Sequence, residues 1–289
     1  GWARDNGINF FDTSASYGNG VSEENLGRAL NGNSDGLVIS TKVGLGNEDL
    51  SDVYGAITRS LDASLARLRL DHVDIFQLHN TLGRTDFRGT LTIDQIMDAV
   101  VPAFDKLRET GKVRFLGFTA KGEADDVHKL VSCGVFQSAQ VFYNLLVPSA
   151  GEPIAANYPS DDYKLLLDTA KDHGVGTIGV RVLAGGALSG SEARHPLGMS
   201  DVTPIGSDTD YATDVKRGLE FMPLIKAGHA ASLIELAIRY VISNPALPTT
   251  EIGIATLDEL QQATAAVNKG PLSPDALAQI KQVQAGFVI

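Results

Sequence analysis

One cysteine in 289 residues, Cys133, leaves no partner for an intrachain disulfide and no thiolate set for a zinc site. Such sparing use of thiols fits a reducing, cytoplasmic setting. Basic residues are also in short supply: 24 Lys and Arg stand against 35 Asp and Glu, a formal net charge of −11. That balance argues against nucleic acid or an anionic membrane surface as the partner. Long apolar runs are missing too. The best candidate, residues 175–188, is broken by Arg181 and four glycines, well short of the roughly 18 apolar residues of a membrane span. Nothing at the N-terminus reads as a signal peptide. No Pro/Ser-rich linker divides the chain, so residues 1–289 read as one domain. His72, His128, His173, His195 and His229 have no metal-ligand spacing, and no metal is expected. What the chain does have is 43% hydrophobic and 20% charged residues, enough for a globular protein with a real core.

Short β-rich apolar runs recur, each followed by a polar turn and a helical stretch. They occupy 8–13, 37–43, 73–79, 115–119, 139–144, 176–182 and 251–255. The stretches between them repeat at period 3.6; in 54–68, Ile57, Leu61, Leu65 and Leu68 form one stripe. Residues 97–107, 163–173, 232–242 and 257–267 also read as helices, and Gly111, Gly134, Gly174 and Gly270 stand where helix C-caps belong. The strands are nearly continuous in apolar residues rather than alternating, which marks a parallel sheet buried on both faces. The expected class is α/β, a parallel sheet of seven β/α units where eight would close a (β/α)8 TIM barrel. Three long segments, 80–91, 147–160 and 190–210, each follow a strand and so belong at the C-terminal end of the sheet, where barrel enzymes keep their active sites.

Because the strand interiors are apolar, the polar residues closing them carry information. The first run ends in Asp12 and Thr13, with Tyr17 shortly after; the second delivers Lys42, the third His79 and Asn80. Each alone is an ordinary solvated strand end. Together they supply proton-transfer chemistry. A phenol titrates near 10, too high for efficient acid or base work at neutral pH. An ammonium about 4 Å away is worth roughly 4 kcal/mol at an effective dielectric of about 20. At about 1.36 kcal/mol per unit, that lowers a phenol by up to about 3 units. A carboxylate would hold the ammonium in place, and an imidazole would orient a substrate carbonyl. This set contains no strong electrophile, so a reduction needs a hydride from a nicotinamide cofactor.

The run Gly7-Ile8-Asn9-Phe10-Phe11-Asp12-Thr13-Ser14-Ala15-Ser16-Tyr17-Gly18, then Ser22-Glu23-Glu24-Asn25-Leu26-Gly27-Arg28-Ala29-Leu30, closely resembles the aldo-keto reductase signature. Thr41-Lys42 and Gln77-Leu78-His79-Asn80 fit the family's later motifs in order and spacing, and the resemblance covers almost the whole chain. It implies Tyr17 as proton donor, tuned by Lys42 and Asp12, with His79 positioning the carbonyl. Locally, Ser22 reads as a helix N-cap, with Glu23 and Glu24 at the positive end of the dipole. Members of the family carry a strand–helix unit before the Gly7–Thr13 run; here only residues 1–6 precede it, so the expected barrel has seven strands with unpaired first and last edges.

The resemblance also implies a nicotinamide dinucleotide bound without a Rossmann fold, and no G-x-G-x-x-G follows a strand here. Thr119 and Gln140 would hold the carboxamide, and Asp12 is shared with the catalytic set. Leu183-Ala184-Gly185-Gly186 matches the pyrophosphate loop. Gly253-Ile254-Ala255-Thr256 matches the adenosine-phosphate site, opening a helix whose N–H groups suit an anion. Residues 253–262 hold no Lys or Arg, and Glu259 stands where many NADP-dependent members have arginine, so of NAD and NADP the reading leans to NAD. Arg181 follows Val180 where many members have an aromatic, and would meet the pyrophosphate, an anionic substrate or a local carboxylate. The expected protein is a monomeric or homodimeric NAD(P)-dependent oxidoreductase acting on a small carbonyl or alcohol. Asn80, Phe87, Tyr143 and Asn144 are candidates to line the substrate pocket. The alternative is a non-catalytic, nicotinamide-binding regulatory subunit on the same fold. A glycosidase is disfavoured, because no carboxylate pair ends neighbouring strands.

Overall fold

The computed structural model describes residues 1–83, 89–198, 202–206 and 209–287. Seven main strands appear in chain order: β1 (Phe10–Asp12), β2 (Val38–Val43), β3 (Val73–Leu78), β4 (Val113–Ala120), β5 (Ser138–Phe142), β6 (Gly176–Val180) and β7 (Thr249–Thr250). The main helices are α1 (Trp2–Asp5), α2 (Val21–Leu30), α3 (Val53–Leu68), α4 (Val101–Leu107), α5 (Ala124–Ser132), α6 (Leu166–Asp172), α7 (Tyr211–Leu219), α8 (Leu233–Ile242), α9 (Leu257–Asn268) and α10 (Pro274–Gln284). A short parallel ladder pairs Thr81–Leu82 with Thr90–Leu91. No described helix is long and apolar enough to cross a membrane.

Residue contacts divide the chain into two compact units: Gly1–Gln140 with Asp172–Gly176, and Val141–Lys171 with Thr177–Ile289. In the first, β1 to β4 pair in parallel and in chain order. Phe10 stands opposite Val38, Ser40 opposite Ile75, and Val73 opposite Val113. β3 is buried at all six positions and is apolar except at Asp74 and Gln77. The predicted stripe of α3 is the face that packs: Ile57, Leu61 and Leu68 are fully buried. Each such side chain contributes roughly 1.5–3 kcal/mol on leaving water. Phe104 stacks on Phe76 at 5.7 Å and meets Phe136 at 5.5 Å, and Phe136 meets Phe118 at 5.3 Å, closing an aromatic cluster. α2 lies against α3 at Gly27, where any Cβ would run into the Arg67 and Leu68 backbone. The predicted glycine caps hold: Gly111, Gly134 and Gly174 adopt φ of 69°, 78° and 67°.

In the second unit β6 pairs in parallel with β7, Ile178 opposite Thr249. The strand expected at 251–255 is a shorter one displaced toward the N-terminus. Pairing ends soon after Thr250, with Glu251 N–H donating to Gly179 O at 2.8 Å. Residues 251–254 belong to no ladder and lead into α9. Tyr143 stacks on Tyr240 at 5.1 Å, and both phenols donate to Glu152 Oε1, whose other oxygen meets Lys281 at 2.8 Å. Burial and the neighbouring Glu152 charge push Tyr143 up to about 12.

Candidate active site

Lys42 is the centre of the constellation and is fully buried. It lies on β2 with Ser40 on the same face, one step across from Gln77 of β3. Its ammonium forms an ion pair with Asp12 Oδ2 at the end of β1, donates to Thr13 O at 2.8 Å, and donates to the Tyr17 hydroxyl at 3.3 Å. Asp12 is held from its other side by Gln77 Nε2, 3.4 Å from Oδ1, and Gln77 in turn donates to Ser40 Oγ at 2.7 Å. Tyr17 keeps 41% of its surface exposed, so its phenol is reachable from solvent while its oxygen touches a buried cation. His79 follows β3 and is anchored by its own N–H to Val43 O at 2.8 Å. The Tyr17 and His79 rings meet edge-on, with centroids 5.9 Å apart and planes at 79°. The structure thus brings Asp12, Tyr17, Lys42 and His79 together. A buried cation beside a phenol oxygen favours transition states in which that oxygen gains negative charge.

Tyr17 sits on a turn fixed by α2, and here one local expectation is corrected. Ser22 is not the N-cap. The cap residue is Gly20, at φ 94°, with no side-chain cap bond. Ser22 lies inside the helix, where its hydroxyl accepts from Thr13 Oγ1 at 2.8 Å instead of from a helix amide. Glu23 does more than face the helix dipole. It is fully buried, accepts from Thr41 Oγ1 at 2.5 Å and pairs with Arg67 Nε at 2.6 Å. Thr41 faces opposite to Lys42 by strand alternation. Glu23 therefore ties the helix after Tyr17 to the strand that carries Lys42.

In the same unit, Thr119 on β4 and Gln140 on β5 are both buried, and the Thr119 hydroxyl lies 3.3 Å from Gln140 Oε1. This neighbouring hydroxyl and amide are suited to the donor and acceptor edges of a carboxamide. In the second unit, Arg181, Ala184, Gly185 and Gly186 all take positive φ, making a tight turn through Leu183. A Cβ on Gly185 would lie 4.0 Å from Arg181 Nη1, and Arg194 donates to Gly185 O at 2.8 Å. Two guanidinium groups therefore flank the turn, a charge arrangement that fits a pyrophosphate diester. At the start of α9, Thr256 caps Glu259 N–H at 3.2 Å, while Glu259 Oε2 accepts from Ala255 N–H at 2.6 Å and Thr256 N–H at 3.3 Å. The exposed Gly253 precedes this cap. The amides there are occupied by the chain's own carboxylate.

Three of the four proposed pocket-lining residues are internal. Asn80 is 2% exposed and clamps Leu45 and Gly89 backbone through its amide. Asn144 is fully buried, donates to Arg181 O at 2.9 Å and accepts from Leu146 and Val147 N–H. Tyr143 is spent on the Tyr240 stack. Phe87 lies outside the described residues. Gln77, Thr13 and Glu23 join the constellation without having been expected there. The signal for Gln77 was present: it is a polar residue two positions before His79, in a strand whose other polar residue is Asp74.

A family model described as the Aldo/keto reductase family matches residues 2–285. The chain belongs to that family. It is 30% identical over 273 residues to L-galactose dehydrogenase of Arabidopsis thaliana, covering 91% of this chain and 75% of that one. It is 27% identical to a probable voltage-gated potassium channel subunit beta of the same plant, covering 97% and 84%. Among solved structures it is similar to an aldo/keto reductase of Klebsiella pneumoniae in complex with NADP and acetate. The TM-score is 0.67 at 21% identity, with 97% and 82% covered. The fold class is accordingly α/β, of the TIM-barrel type, with seven main strands among the described residues.

Proposed function

We propose that this chain is an NAD(P)-dependent oxidoreductase that interconverts an aldehyde, ketone or aldose with the corresponding alcohol. The observation that carries the reading is the buried Lys42 ammonium, paired with Asp12 and 3.3 Å from the Tyr17 hydroxyl. A bound nicotinamide dinucleotide supplies the hydride for reduction and accepts it in oxidation. In reduction Tyr17 gives its phenol proton to the substrate oxygen. Lys42 stabilises the negative charge that builds on the phenol oxygen, and Asp12 keeps Lys42 in place. His79 donates to the substrate oxygen and fixes its direction. In oxidation the same groups run in reverse, with Tyr17 taking the alcohol proton.

Thr119 and Gln140 would hold the carboxamide, and Asp12 would be the residue that the cofactor site shares with the catalytic set. Arg181 with Leu183 and Gly185 would take the pyrophosphate, and Gly253, Ala255, Thr256 and Glu259 the adenosine end. The self-capping of α9 supports NAD as the preferred form, because a 2′-phosphate would face the Glu259 carboxylate and find the Ala255 and Thr256 amides taken. The Klebsiella relative was solved with NADP, so both dinucleotides belong in the test. The single cysteine fits work in a reducing, cytoplasmic setting.

The decisive experiment is Tyr17→Phe, which removes only the hydroxyl. Turnover of a carbonyl panel is expected to fall by about 10²–10⁴, the usual share of general acid–base catalysis, while dinucleotide binding is retained. Full activity of the variant rejects the assignment. The similarity to a potassium channel subunit beta favours one second reading, a nicotinamide-binding regulatory subunit. Tight dinucleotide binding by the wild-type chain with no turnover across the panel would select it.

A further inference from the structure

An imidazole donates to a substrate oxygen only through the nitrogen that carries its proton, and the partner of the other nitrogen decides which one that is. In this chain His79 Nδ1 lies 3.4 Å from Ser14 Oγ. Ser14 is 1% exposed, in the turn between β1 and Tyr17. Its Oγ accepts from Ser16 N–H at 3.2 Å and lies 2.9 Å from Ser16 Oγ. A hydroxyl has one proton to give and two lone pairs to fill. One lone pair is committed to the Ser16 amide. With the exposed Ser16 hydroxyl donating into the second, the Ser14 proton points at Nδ1. The reverse chain, from Nδ1–H through Ser14 to Ser16, is also geometrically complete. Two considerations select the first. An imidazole nitrogen is a stronger acceptor than the solvated Ser16 hydroxyl. The Nε2–H tautomer is also the more stable neutral form of a histidine side chain, so the hydroxyl reinforces an existing preference. The donated amide further polarises the Ser14 O–H toward giving its proton.

We propose that Ser14 is a positioning residue: its hydroxyl, oriented by Ser16, donates to His79 Nδ1 and keeps the imidazole proton on Nε2, the tautomer able to donate to a substrate oxygen. This rests on the reading of His79 as the group that orients the carbonyl, and the test separates the two. Full-length protein is labelled with ¹⁵N-histidine, and the tautomer of His79 is read from long-range ¹H–¹⁵N correlations above the imidazole titration, with assignment by His79→Gln. The expected wild-type spectrum is that of the Nε2–H form with a hydrogen-bonded Nδ1. In Ser14→Ala the Nδ1 shift moves to that of an imidazole nitrogen without the hydroxyl, and the Nδ1–H form gains population. kcat/KM for carbonyl reduction falls by about fivefold, the worth of one ordinary hydrogen bond, with dinucleotide Kd unchanged. A wild-type His79 protonated on Nδ1 overturns the proposal. So does an Ser14→Ala spectrum indistinguishable from wild type. If the spectra behave as expected while His79→Gln reduces carbonyls at the wild-type rate, Ser14 does set the tautomer and it is the role given to His79 that fails.

Discussion

Replacing Lys42 by methionine removes the buried charge and keeps the length of the side chain. The ammonium is 3.3 Å from the Tyr17 oxygen. At an effective dielectric of about 20, a full charge there is worth about 5 kcal/mol; with Tyr17 part-exposed, a value of roughly 40 is the better choice and gives about 2.5 kcal/mol. At about 1.36 kcal/mol per factor of ten, the single-turnover rate of Lys42→Met should drop by about 10² and by less than about 10⁴. The variant has a second cost. Asp12, whose side chain is 11% exposed, loses its cation, and leaving so little-exposed a carboxylate uncompensated costs up to about 3–5 kcal/mol of stability. The companion Asp12→Asn/Lys42→Met removes that stranded charge. It should regain most of the stability and part of the rate, because the phenol no longer gains charge against a naked carboxylate. The assay is single-turnover consumption of reduced nicotinamide by its near-ultraviolet absorbance, with urea denaturation of each variant alongside. A folded Lys42→Met that reacts at the wild-type rate refutes the electrostatic reasoning. A double variant slower than Lys42→Met refutes the account of Asp12.

The strands were readable because burial on both faces writes itself as largely apolar runs, as in Val73–Leu78, where only Asp74 and Gln77 are polar, and the polar residues that break such runs had to serve a site or an end. This is why Asp12, Lys42 and His79 stood out one by one. What a run of residue types does not encode is which neighbour claims a polar group first. Ser22 had the right residue type for a cap, but Thr13 claims its hydroxyl and Gly20, free to take φ 94°, opens the helix instead. Asn80 and Asn144 looked like pocket residues because they follow strands. Each is consumed by loop backbone that has no sheet partner, a demand set by the loop's path and invisible in the sequence. Glu23 reads in the sequence only as a carboxylate suited to a helix start. Its burial depends on Arg67, 44 positions away, and on Thr41 across the packing interface. The last strand was misplaced for a related reason: in Glu251–Ala255 the apolar pattern is broken by Gly253, and pairing with β6 is decided by register with Ile178 and Gly179 rather than by composition.

Glu259→Gln keeps a residue able to close the α9 cap but removes its charge. The ratio of NADPH to NADH affinity, measured by quenching of Trp2 or by calorimetry, should rise by roughly tenfold, since a 2′-phosphate carrying nearly two negative charges no longer meets a carboxylate. An unchanged ratio removes Glu259 from cofactor choice. The pH dependence of stability should report on a different carboxylate, Glu235 of α8. Burial alone would raise it, but Lys269 at 2.6 Å, the Ala231 N–H and Arg239 at 3.0 Å together hold it below the ordinary value of 4.5. A carboxylate held lower in the folded than in the unfolded chain stabilises the fold above its unfolded value, and that contribution fades as pH falls through the folded one. Arg239 has other acceptors in Gly270, His229 and Pro271, so Glu235→Gln does not strand it. The expected loss at neutral pH is therefore modest, about 1–3 kcal/mol by urea denaturation. Repeating the measurement as pH falls below the ordinary value of 4.5 should find the gap between wild type and variant narrowing, because the unfolded wild-type chain then takes up a proton that the folded carboxylate resists. A gap that stays the same across that range would mean that Glu235 contributes by shape and packing, and that its three donors add nothing through its charge.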